Sequence, residues 1–305
     1  MSNDDNSLVF APNARQAARR DASINSSPGW WERYAKGAEM SEDEVFVLAT
    51  SGVLGVMLWL RWFRHCLVIS WLRSGLGLRL AVIGIPAACG MLLWLTLRHL
   101  AAHDVRDSPV YLAFYLVFGA AWVGVGASLQ TLLGLSVRDD VLERRNAAAA
   151  WAAAGGLAGL TLCYAGANIG DGPGWWVVLY SALLSTAALL ALWAVLEQLT
   201  HVSESVTVER DVASGLRLGG FLVAAGLILG RAVAGDWVSM FATNAEFLGA
   251  AWPVLVLLLL AVPCEWLCRP GIEHPQPAWF LFGLPPLVIY VGGAVLWLMQ
   301  VGLGP

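Results

Sequence analysis

The chain has 305 residues, of which 58% are hydrophobic and 13% charged, and its formal net charge is −4. An average soluble domain carries roughly 25% charged residues, so a globule of this length cannot enclose so much apolar surface. Together with a mean hydropathy of +0.66 and sixteen tryptophans, these figures exclude a water-soluble domain. They predict an all-α, polytopic membrane protein. No basic patch with interleaved aromatics is present, which argues against a nucleic-acid partner; the partner implied by composition is the lipid bilayer.

Residues 1–42 form a tail whose first 28 residues are polar and rich in Asn, Ser, Arg and Ala, with no apolar core of a secretory signal. They read as a disordered tail ending in a short interfacial helix, in which Trp30, Trp31 and Tyr34 share one face. A spanning helix needs about 20 apolar residues. About eight such stretches follow, near 43–62, 78–98, 109–135, 145–169, 175–198, 211–235, 245–267 and 278–300. Local start signals mark several of them. Ser41 to Glu44 has capping-box spacing before the first span, and Thr243 to Glu246 repeats it at the seventh. Ser108-Pro109 places a cap and a first-turn proline at the third, and Pro277 opens the eighth. Pro86, Pro253, Pro263 and the Pro285-Pro286 pair are expected to kink their helices.

A repeat is visible in the middle of the chain. Glu143-Arg144 precedes a small-residue helix ending in Gly170-Asp171, and Glu209-Arg210 precedes another ending in Gly235-Asp236, a spacing of 66. Extended outward, that spacing divides the chain behind the tail into four parallel two-helix units: 43–108, 109–174, 175–240 and 241–305. All within-unit linkers then lie on one side of the membrane. They hold ten basic residues against five on the other side, which places the linkers in the cytoplasm and both termini outside.

The central half resembles the YjfL-like bacterial membrane proteins, a family defined as a domain of unknown function. The resemblance is carried by Glu143-Arg144-Arg145-Asn146 leading into Ala147 to Ala150, Gly155-Gly156 and Gly159. A second copy runs from Glu209-Arg210-Asp211 to Gly219-Gly220 and Gly226, with Val212 at the asparagine's place. It covers roughly residues 109–240, the first two spans lying outside. It implies a multi-pass protein of the bacterial inner membrane built from repeated hairpins, with no reaction attached.

Three groups of residues are candidates for function. Gly155, Gly159, Gly215, Gly219, Gly226 and Gly230 form small-xxx-small faces, which let helix backbones approach closely in lipid. Packing within the chain is the bland use of these faces, and a homo-oligomer the alternative. Asn168, Asp171, Arg231 and Asp236 are expected to form a polar cluster at the outer ends of the central helices, either a structural clamp or a solute, ion or proton site. Glu143, Asn146, Glu197, His201, Glu209 and Arg217 form a cytoplasmic-side ionisable set, for which snorkelling side chains at the interface are the favoured reading and a Glu197–Arg217 pair across the linker the alternative. Cys66, Cys89, Cys163, Cys264 and Cys268 lie in or beside apolar stretches, unlike a disulfide framework. No nucleotide loop, catalytic constellation or specific metal motif appears, so no enzyme, cofactor or metal is expected. Two functions remain open: movement or sensing of a small solute or ion, and a structural or accessory subunit that docks other envelope proteins.

Overall fold

The helices that begin at Pro109, Ala147, Val212 and Met240 each open behind a side chain that accepts from their first free amides. The structure, a computed structural model, describes residues 40–69, 76–271 and 277–302; the tail with Trp30, Trp31 and Tyr34, and Arg73 of the first linker, lie outside these. The helices are α1 (Glu42–Arg64), α2 (Leu76–His99), α3 (His103–Asp107), α4 (Pro109–Leu129), α5 (Ala147–Gly166), α6 (Trp175–Thr200), α7 (Val202–Thr207), α8 (Val212–Val233), α9 (Met240–Ala251), α10 (Pro253–Cys268), α11 (Trp279–Phe282) and α12 (Leu284–Val301). π-Helical turns His65–Ile69 and Val137–Glu143 follow α1 and precede α5. From Glu42 onward the described residues pack as one unit.

Among the described residues, seven helices are long and apolar enough to cross a membrane, and α9 with α10 makes an eighth when taken as one bent span. The protein is an all-α polytopic membrane protein. The seventh span is not the single helix expected over 245–267. It bends by 42° between Ala251 and Pro253, where the proline ring removes a backbone donor and clashes with the preceding turn. Its start also differs from the Thr243–Glu246 capping box. Ser239 is the cap, its hydroxyl accepting from the Ala242 amide at 3.2 Å.

The openings of α5 and α8 are built alike. Asn146 caps α5, accepting from the amides of Ala148 (2.9 Å) and Ala149 (3.2 Å). Asp211 caps α8, accepting from Ala213 (3.2 Å) and Ser214 (2.8 Å). Before each cap stands an arginine in left-handed backbone, Arg145 (φ 54°) and Arg210 (φ 58°). The amides of Asn146 and Asp211 donate back to the carbonyls of Asp140 and Ser205. The register is therefore 65, from 146 to 211, and not the 66 of the two Glu-Arg pairs. Asp211 does the work of Asn146, whereas Val212 is the first residue of the helix.

The two helices run parallel and touch through glycine. Gly155 meets Gly219, Gly159 meets Gly226, Gly166 meets Gly230, and Gly215 meets Ala148. A Cβ on Gly226 would stand 2.6 Å from the Gly159 Cα, closer than any real packing contact. All six expected glycines lie at this contact. Their faces are thus covered inside one chain, so a homo-oligomer would need another surface.

The other spans arrange around this pair. α2 packs on α5, α12 packs on α8, and α6 lies against both central helices. α1 packs mainly on α4. Burial falls from the centre outward: 83% of the apolar window is buried in α8 and 72% in α5, against 28% for the span ending in α12, 22% for α2 and 11% for α1. Lipid is the remaining neighbour of the outer helices.

Candidate functional site

The strongest polar constellation is buried near the start of α8. Asp211, Ser214 and Arg217 recur every three residues and stack on one helical face. Asp211 holds its charge against the α8 amides, where the helix dipole favours an anion. The Ser214 hydroxyl donates to Asp211 at 2.7 Å and accepts from Arg217 Nη2 at 2.8 Å. Arg217 is fully buried. Its Nε and Nη2 both donate to the Glu265 carboxylate at 2.8 Å, and Nη1 donates to the Phe282 carbonyl at 2.9 Å. The guanidinium also lies 3.9 Å from Asp211.

This geometry ties three parts of the chain together: α8 supplies Arg217, α10 supplies Glu265, and the end of α11 supplies a carbonyl. A charge in the bilayer is costly unless it is paired, and planar two-bond pairing of Arg with a carboxylate is the strongest form available. Chemically, the group can hold a fixed ion pair. One neighbouring polar atom is left over: the buried Tyr290 hydroxyl on α12 has no hydrogen-bond partner among the described residues.

The alternative Glu197–Arg217 pair does not form, since Arg217 bonds Glu265. Glu197 instead accepts from the Ser203 amide (2.8 Å) and hydroxyl (2.6 Å), closing the turn into α7. His201 is exposed in that turn with φ 51°. Glu143 accepts from Arg138 at 3.3 Å. Asn146, besides capping α5, donates to the Val206 carbonyl at 2.6 Å. Glu209 is exposed, its amide donating to the Glu204 carbonyl at 3.1 Å. Glu197 and His201 share the turn into α7, but the six residues do not gather into one ionisable group. Glu265, outside the expected set, is the partner of Arg217; the signal that could have found it is an acid inside the apolar run Cys264–Cys268.

The outer polar group also divides. The turns after α5 and α8 are stapled together: the Asp171 amide donates to the Asp236 carboxylate at 2.9 Å, and the Trp237 amide to the Asp171 carbonyl at 2.8 Å. Gly170 allows this approach, since it has φ 113° and a side chain there would overlap Gly235. Arg231 donates to the carbonyls of Gly302 (2.6 Å) and Ala234 (3.1 Å), joining α8 to the end of α12. Asn168 is buried and donates to the Tyr164 carbonyl at 2.7 Å.

No curated protein and no solved structure matches the chain. Residues 91–233 match the family model described as Domain of Unknown Function (DUF350). The matched stretch is just under half of the chain and begins within α2, earlier than the expected 109. It ends with α8, so it contains the glycine-packed pair, both caps and Arg217, whereas Glu265 and Phe282 lie beyond it.

Proposed function

We propose that the protein is a non-enzymatic structural or accessory subunit of the bacterial inner membrane, built on a duplicated two-helix unit. In this reading α5 and α8 form a fixed core that holds the less buried outer spans toward lipid and envelope proteins. The observation that carries it is the direct backbone contact of α5 with α8, which leaves no room between them for a solute. Pairing of the buried Arg217 with Glu265 supports the same reading. Four of the Arg217 donor bonds are used within the chain, and a group so held does not release its partner cheaply.

The equivalent caps at a spacing of 65 support duplication of the central units. Extension to four units rests on helix order, and the excess of linker arginines favours cytoplasmic linkers with outside termini. The competing role, movement of a small solute or ion through the polar groups, makes a different prediction. Proteoliposomes of the full chain should show no flux of protons, alkali cations or phosphate above protein-free vesicles. Flux that disappears in Arg217→Met or Asp171→Asn would replace the structural reading with transport.

A further inference from the structure

A cleft of about 320 Å³ opens where the ends of α1 and α4 meet the π-helical turn Val137–Glu143. It lies at the end of the bundle that carries the within-unit linkers, away from the Arg217 network. Its two sides differ in chemistry. One wall is apolar, formed by Leu58, Trp59, Trp62 and Leu142. The two indole N–H groups donate away into the bundle, to the carbonyls of Ala120 (2.9 Å) and Val82 (3.2 Å), so the rings contribute hydrocarbon and no free donor.

The other side is cationic. Arg61, His65 and Arg138 line it against a single acid, Asp139. Arg138 is already held by Glu143 at 3.3 Å and by Asp139 at 3.7 Å. Arg61 is exposed and forms no ion pair among the described residues. His65 Nδ1 is buried with no hydrogen-bond partner among them. A buried ring nitrogen without a partner costs free energy that a ligand can recover. The hydroxyls of Ser128, Thr131 and Ser136 are occupied by Gly124, Ser128 and Asp139, which leaves Arg61 and His65 as the free polar groups.

We propose that this cleft binds a phosphate group carried on an apolar body, with the headgroup of an anionic phospholipid as its first source. Arg61 presents a fork of donors that fits phosphate oxygens, and His65 supplies a second hydrogen bond beside it. Basic pockets between spanning helices at the membrane surface suit such headgroups. The exposed Met57 and Leu60 continue from the cleft along α1 and give acyl chains an apolar track. A free phosphate compound offers the same group without the tail.

The test uses the full chain purified in a neutral detergent, with bound lipid read by native mass spectrometry. Phosphatidylglycerol should be retained more strongly than phosphatidylcholine. Arg61→Gln should weaken that retention about tenfold and His65→Gln about threefold, the scale of a lost charged and a lost neutral hydrogen bond. Arg61→Lys should fall between wild type and Arg61→Gln. Arg269→Gln, at an exposed arginine outside the cleft, should match wild type. Inorganic phosphate that displaces the lipid at millimolar concentration assigns the site to a soluble phosphate compound, and failure to displace it assigns the site to lipid. Equal retention in wild type, Arg61→Gln and His65→Gln overturns the proposal, as does equal retention of the two lipids.

Discussion

Asn146 and Asp211 each answer two amides that a helix start would otherwise leave bare, and each follows an arginine held at positive φ. Losing a cap of this kind costs about 1 kcal/mol. Asn146→Ala should cost more than that average, because the Val206 carbonyl also loses its donor in a buried place. Asp211→Ala should likewise exceed it, since Ser214 loses its acceptor and Arg217 its second anion. Thermal unfolding of the purified variants should show both below wild type. Asp211→Asn can keep the two amide bonds on its one carbonyl oxygen, as Asn146 does, and should recover most of the capping loss. The misread register belongs to this scale as well. Glu143-Arg144 and Glu209-Arg210 are matching dipeptides, yet Arg144 stands where Glu209 does. Identity of letters misled where geometry of the cap did not. Capping is a backbone function that Asn and Asp share, so the equivalence is invisible to a search for repeated residues.

Between elements, the Arg217–Glu265 pair fastens α10 and α11 to α8. Removing one partner strands a buried charge at a cost of about 3–5 kcal/mol, whereas replacing both with apolar groups is often nearly neutral. Arg217→Met should therefore lower stability severely, and Arg217→Met with Glu265→Leu should restore much of it. A double-mutant cycle on unfolding in detergent measures the difference. If the double variant is as unstable as the single one, the pair is not a self-contained clamp. Sequence reasoning found the arginine but considered for it an acid on the preceding helix, Glu197, rather than one 48 residues further on. Periodicity carries no information about which helices are neighbours. It is also silent on the buried face, because lipid and protein interior are both apolar and the helices show little contrast between sides. The glycines of α5 and α8 escaped that limit, since small residues at fixed spacing mark a close approach whatever surrounds the helix.

For the whole molecule, helix number and span positions were legible because bilayer thickness sets a length that sequence must meet. The bend at Pro253 was anticipated as a kink, while the break into two helices with Ser239 as the cap was not. Orientation remains a matter of charge, and it is open to a direct measurement. With linkers inside, Asp171→Cys should react with a membrane-impermeant maleimide in intact spheroplasts, and Glu209→Cys only after permeabilisation. The reverse pattern would invert the whole bundle. The burial gradient has a further meaning for biosynthesis. Gly155 leaves the ribosome 64 residues ahead of Gly219, the residue it meets. At about 5–20 residues per second that is roughly 3–13 s. During this interval the most tightly fitting surface of α5 has no mate. The protein must enter the membrane with its future centre uncovered and its least buried span already in place, since burial rises from α1 through α2 and α4 to α5 before α8 arrives.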